Sequence, residues 1–166
     1  MTLYEQTVPV FTRMLDNLSA MLDKAQAHAA AAKYEVAVLL EARLFPDMFP
    51  LTRQVQLATD FAKGCCARLV GQEVPRWEDT EKTLPELQAR LRKTLDYLAG
   101  FLPAQFDDAA TRAIELKTPA GSFHFTGDSF VQTWALPNFY FHVTTAYNLL
   151  RHNGVPVGKL DFLGKF

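Results

Sequence analysis

Apolar residues recur in alternating steps of four and three at Tyr4, Val8, Phe11, Leu15, Leu18, Leu22, Ala25 and Ala29. That spacing draws one stripe down a helix more than three heptads long. Thr2 with Glu5 three residues on has the capping-box pattern. Pro9 sits one or two turns in, so a bend there or a later start near Pro9 is equally allowed. The piece VAVLLEARLF predicts a short helix after helix 1, and FPDMFP punctuates it, with Asp47 between two prolines. A second heptad runs through Leu51, Val55, Ala58, Ala62, Cys65 and Leu69, with Gly71 placed as a left-handed cap. Arg53, Gln54, Gln56, Asp60 and Lys63 fall in the same helix, and most of them are expected on its solvated side.

The polar stretch QEVPRWEDTEK links this helix to a third and is expected to lie across the end of the helical body. Thr83 with Glu86 repeats the capping box, and Pro85 stands in the first turn, where its missing donor costs nothing. Leu84, Leu87, Leu91, Thr94, Leu98 and Phe101 complete a third stripe, which Pro103 ends. The period then changes from seven to two. Arg112, Ile114 and Leu116 alternate with Ala113, Glu115 and Lys117; TPAG supplies a turn, and Phe123 and Phe125 alternate again. This is a hairpin, and since an isolated pair of strands is marginal in water its phenylalanines should rest on the helices.

The last helical stretch, FVQTWALPNFYFHVTTAYNLLRHNG, sets an apolar side (Trp134, Phe141, Leu149) beside a polar row of Asn138, His142, Thr145 and His152. Pro137 within it frees the carbonyl of Thr133 and bends the axis. The tail VPVGKLDFLGKF has too many glycines for a helix but enough apolar groups to lie on the body. The elements together spell an all-α fold: a four-helix bundle with a short helix after helix 1 and a small β-hairpin before helix 4, one domain over residues 1–166.

Composition narrows the function classes. At 166 residues, 49% hydrophobic and 12% aromatic, the chain can close one well-filled core. Seventeen basic against eighteen acidic side chains leave a formal charge of -1 without a run of like charge, so nucleic acid and anionic membranes are not expected partners. MTLYEQTVPVF lacks a basic segment followed by an apolar run, and no stretch is long and apolar enough to span a bilayer, so a cytoplasmic protein is expected. Cys65 and Cys66 are adjacent and point about 100° apart on a helix, which excludes a disulfide between them and reads as two small buried apolar groups.

Candidate chemistry converges on His142. Its i+4 neighbour is Ala146 and its i-4 neighbour Asn138, while His152 lies ten residues on, roughly 15 Å along the axis, so the two histidines cannot share an ion. A metal would need His142 plus groups from other helices, with Asp47, Gln54 and Asp60 the lenders. Ser19, Ser122 and Ser129 stand in no glycine-flanked elbow, and GDSF and GVPVG do not form a phosphate-cradling loop. Asp107 and Asp108 read as a solvated turn. The crowding of Asn138, Tyr140, His142, Thr144, Thr145, Tyr147 and Asn148 fits either a lined cavity or groups that satisfy the proline break and solvent.

The motifs LLEARLFPDMFPLTRQVQLATDFAKG, EDTEKTLPELQARL and LPNFYFHVTTAYNLLRHNGVPVGKLDFLG resemble, nearly end to end, a family of uncharacterised bacterial proteins of about this length. That family is similar in turn to the DinB/YfiT-like superfamily of four-helix-bundle metalloenzymes, many of them dimeric. In that superfamily three histidines bind a divalent metal, and some members transfer thiol cofactors. One histidine usually comes from the second helix and an HxxxH pair from the fourth. Here the second helix has Gln54 and Gln56 instead, and the fourth has only His142 followed by Ala146. The resemblance therefore implies the bundle and a pocket between helices 2 and 4, with the metal triad missing.

The expectation is a homodimer that binds a small molecule through His142, Asn138, Tyr147 and Gln54, with Asp47 beside them. No cofactor and no tightly held metal is expected, and any metal would be on His142. The alternative is a metal- or His142-dependent transferase or hydrolase acting on a thiol-type small substrate.

Overall fold

Thr2 opens the first helix as its pattern predicts. Its hydroxyl accepts the Glu5 N–H at 3.2 Å, and the Glu5 carboxylate accepts the Thr2 N–H at 2.7 Å. In the computed structural model, which describes residues 1–118 and 121–165, α1 (Leu3–Ala32) then runs without interruption through Pro9. It closes on Lys33 in the left-handed region at φ 61°, with the Tyr34 N–H reaching back to the Ala29 carbonyl at 3.1 Å.

A short α2 (Ala37–Leu40) and the proline-punctuated turn lead to α3 (Leu51–Leu69). Gly71, at φ 72°, ends α3 where the heptad pattern places a left-handed cap, and the Gln72 N–H bonds the Ala67 carbonyl at 2.9 Å. The second capping box, Thr83 with Glu86, starts α4 (Leu84–Ala99). Two single 3-10 turns follow, Pro103–Phe106 and Ala109–Thr111, with Asp107 and Asp108 exposed between them.

The period-two segment forms β1 (Ala113–Thr118) paired antiparallel with β2 (Gly121–Thr126), so that Ile114 faces Phe125 and Leu116 faces Phe123. Pro119 and Ala120 of the expected TPAG turn lie outside the described residues. Ile114 and Leu116 are buried, and Phe123 and Phe125 pack on Trp134 with ring centroids 5.5 and 6.0 Å away. The strands thus dock on the last helical stretch through alternate side chains. Where the hairpin returns to helix, Gly127 lies so close to the Ala109 carbonyl that an added Cβ would sit 1.9 Å from its oxygen. Only glycine fits there.

From Gly127 the backbone is helical to His152 in three joined pieces: α5 (Gly127–Phe130), a π turn (Val131–Ala135) and α6 (Leu136–His152). Pro137 lacks the N–H that would bond the Thr133 carbonyl, and the wide turn accommodates that gap immediately upstream.

The tail departs from the sequence expectation. It forms α7 (Lys159–Leu163), because its glycines flank the helix instead of interrupting it. The Gly158 N–H bonds the Asp161 carboxylate at 2.8 Å, and Gly164, at φ 75°, lets the chain turn away. α7 lies on α1 through Lys24–Asp161 at 2.8 Å and through the Asn17 amide, which donates to the Phe162 carbonyl at 2.9 Å.

The fold is thus mostly helical with one two-stranded antiparallel hairpin. α3 packs against α6, α4 and α1, and α1 also packs against α4 and α6, around one continuous cluster of apolar side chains. Phe11 of α1 meets Phe139 of α6 edge-on at 4.7 Å in its middle. Among the described residues no helix is long and apolar enough to cross a membrane.

Candidate functional site

Gln54 and Phe61 are seven residues apart on α3 and therefore share one face two turns apart. The imidazole of His142, from α6, fits between them. Its Nδ1 lies 2.8 Å from Gln54 Oε1, and its ring stacks on Phe61 with centroids 5.5 Å apart and planes within 20°. Gln54 is 1% exposed and His142 7%.

The tautomer follows from bonding chemistry. Gln54 gives its amide N–H to the Phe49 carbonyl at 3.1 Å, which leaves the carbonyl oxygen for the imidazole. An oxygen of that kind only accepts, so Nδ1 carries the hydrogen and Nε2 presents a lone pair. No protein group bonds Nε2, yet among the described residues no buried side-chain polar atom is left without a partner, so this edge of the ring reaches solvent. Burial, and secondly the positive charge of Arg53, push the imidazole down to about 4. At neutral pH it is an uncharged acceptor held in one orientation. The edge of the largely exposed Phe141 ring, 5.3 Å away, borders it.

The other sequence candidates go elsewhere. Asn138 donates its amide to the Trp134 carbonyl at 2.8 Å and so braces the π turn before Pro137. Thr145 bonds back to the Phe141 carbonyl at 2.7 Å. Tyr147 packs edge-on against Phe162 of α7, at 6.0 Å, and lines a separate depression with Thr144, Asn148 and Lys159. Asp47 is exposed in the turn before α3, and His152 is exposed in the last turn of α6. Of the five residues expected to line a ligand pocket, the structure joins His142 and Gln54.

The polar residues of α3 correct a second expectation. Gln54, Gln56 and Lys63 are all buried: Gln54 against His142 and the Phe49 carbonyl, and Gln56 and Lys63 under the 72–82 linker, through Glu81 and the Trp77 ring. The organiser is Arg90 of α4, 3% exposed, which the sequence reading passed over. Its guanidinium holds Asp60 at 2.9 Å, Asp79 at 3.0 Å and Glu81 at 3.1 Å, and its Nε donates to Thr59 at 2.8 Å. Arg53 pairs with Asp79, and Lys63 with Asp60 at 2.8 Å. Lys63 and Lys93 lie over the Trp77 ring at 4.3 and 4.5 Å. The signal available in the sequence was a basic residue in the helical stripe register, between Leu87 and Leu91.

Cys65 and Cys66 are free and buried, as expected of small apolar groups. Burial raises both thiols, Cys66 to about 12, so neither supplies a thiolate at neutral pH. Around His142, Gln54's oxygen faces Nδ1, the Asn138 amide N–H bonds the Trp134 carbonyl, and Asp60 is held by two cations. Among the described residues no group of three or more His, Cys, Asp or Glu side chains is placed to hold a metal ion.

Against known proteins, the family described as "Domain of unknown function (DUF1993)" matches residues 3–163. No curated protein matches. Among solved structures, the chain is similar to a DinB family member protein from Shewanella denitrificans, with 49% identity and a TM-score of 0.93 over 99% of this chain and 93% of that one. The chain belongs to the DUF1993 family, a DinB-like family.

Proposed function

We propose that this protein is a single-domain DinB-type four-helix bundle that binds a small molecule between α3 and α6, through Nε2 of His142, without a tightly held metal. The observation that carries this reading is the Nδ1–H to Gln54 Oε1 bond at 2.8 Å. It supports the reading because it fixes the imidazole as a neutral acceptor. A ligand hydroxyl, thiol or N–H would satisfy Nε2, and Phe61 and Phe141 would flank the ligand's apolar part. α3 carries Gln54 and no histidine, and the Gln54 oxygen is turned to the imidazole.

Phenol is a suitable probe. In ¹⁵N-resolved imidazole spectra at pH 7, Nδ1 should show as the protonated nitrogen, and saturating phenol should shift Nε2 alone. His142→Ala should remove the binding. Phenol binding that survives His142→Ala would refute the reading.

The free lone pair also suits the second reading, a His142-dependent transferase or hydrolase working on a thiol-type substrate. An imidazole held near 4 is a weak base for that work at neutral pH. Stoichiometric zinc, nickel or iron in protein purified without chelator, lost in His142→Ala, would favour this enzyme over the binding module. We further propose that the protein is a homodimer, as its exposed aromatic residues suggest.

A further inference from the structure

A cavity of about 300 Å³ lies between α3, β1 and the Phe130–Trp134 stretch, with Phe61 in its wall. Its apolar walls include Leu57, Phe61, Phe130 and Trp134, and its polar lining is Arg68 and Lys117 together with Asp60, Glu115 and Thr118. The volume is about twice the ~150 Å³ that accommodates a benzene ring in an apolar protein cavity. One ring with a short side arm fits it.

The charges facing it are unequal in their pairing. Asp60 is held by Lys63 at 2.8 Å and Arg90 at 2.9 Å. Glu115 lies 3.9 Å from Lys117, both at the exposed edge. Cys65, at the floor, stays a thiol because burial raises it. Arg68 differs: among the described residues no carboxylate lies within 4.0 Å of it, and its Nη1–H donates to the Gly64 carbonyl at 2.9 Å. Since no buried polar atom is orphaned among the described residues, its remaining donors open onto solvent. A half-buried guanidinium without an acid partner, beside three aromatic rings, is a receptor for a planar anion.

The backbone beneath it fits the same purpose. Gly64 stands in the middle of α3, where glycine costs about 1 kcal/mol relative to alanine. A Cβ at this position would sit 2.6 Å from Arg68 Nη1, so the glycine makes room for the guanidinium to lie back along its own helix. We propose that this cavity binds a small aryl carboxylate, its ring between Phe61, Phe130 and Trp134 and its acid group on Arg68. The site lies apart from the Nε2 edge of His142 and shares the Phe61 ring with it.

The probe is 3-phenylpropionate, titrated by calorimetry and ligand-observed NMR against the intact protein, with 3-phenylpropan-1-ol and propionate as controls. Saturable binding of the acid is expected, with both controls weaker by at least about tenfold, the size of one charge-assisted hydrogen bond or more. Arg68→Met should weaken the acid by a similar factor and leave the alcohol unchanged. Gly64→Ala should fold at least as stably as the parent and still lose affinity, which separates seating of the guanidinium from general damage. Arg68→Met should leave the phenol-induced shift of His142 Nε2 unchanged, so that the two sites are read separately. Absence of saturable binding at about 5 mM acid, or unchanged affinity in Arg68→Met, would each overturn the proposal.

Discussion

His142 is neutral in the folded protein at every pH above about 4, whereas in the unfolded chain it takes a proton near its ordinary value of 6.5. Between those two values the unfolded state binds more protons, so stability falls as pH drops through that window and the loss is complete below it. The full difference is on the order of 3 kcal/mol. His142→Gln removes the titration. Urea unfolding from pH 7.5 to pH 4 should therefore show a shallower acid loss in the variant than in the parent, and parallel curves would contradict the environment described for this ring. The sequence made His142 legible as a lone imidazole on an apolar helix facing a glutamine-bearing partner. It did not reveal the tautomer, which depends on where Gln54's other amide end goes, and Phe49 lies in an irregular turn. Nor did it separate Asn138 and Tyr147 from the site, since periodicity places a residue on a face without saying that its bond is already made locally.

Between elements, the strongest polar joint is Arg90, which ties α4 to α3 and holds the 72–82 linker through Asp79, Glu81 and the Glu78 carbonyl. Removing the cation takes away the charge partner of Glu81 and leaves Asp60 with Lys63 alone and Asp79 with Arg53 alone, and breaking a buried pair from one side typically costs about 3 to 5 kcal/mol. Arg90→Met should cost at least about 2 kcal/mol in denaturant unfolding, since Asp60 and Asp79 keep partial exposure. Hydrogen exchange of the 72–82 amides should rise more than that of α1. Equal protection in the linker would mean that apolar contacts hold it. Helix positions were readable from heptads and capping boxes because those signals are local: Thr2–Glu5 and Thr83–Glu86 both close as their spacing predicts. The buried side of α3 was not readable. Gln56 and Lys63 look like solvated residues until a linker from further along the chain covers them. α7 was missed for a related reason, since counting glycines ignores that Gly158 and Gly164 sit at its two ends.

Across the whole molecule, the large apolar side chains left exposed are not scattered evenly. Val38, Leu44, Phe45 and Phe49 come from α2 and the turn before α3, and Tyr140 and Phe141 come from the early turns of α6. Phe49 and Phe141 bring the two groups together, because Gln54 bonds the Phe49 carbonyl with one end and His142, next to Phe141, with the other. Contiguous apolar patches above a few hundred Å² are uncommon on monomers, and a two-fold axis through such a patch would cover it with its own copy. Sedimentation velocity should then report about twice the 18.7 kDa chain mass at micromolar concentration. Phe45→Glu with Phe141→Glu should give a monomer with unchanged far-UV circular dichroism. A parent protein that sediments as a monomer throughout that range would end the dimer proposal. A monomer made with Val38→Glu and Phe45→Glu, which keeps Phe141, reports on ligand access, because the solvent-facing edge of His142 lies beside Phe141. If the partner copy shields that edge, phenol should reach Nε2 faster in the monomeric variant than in the dimer, a difference that exchange broadening of the imidazole resonances measures directly.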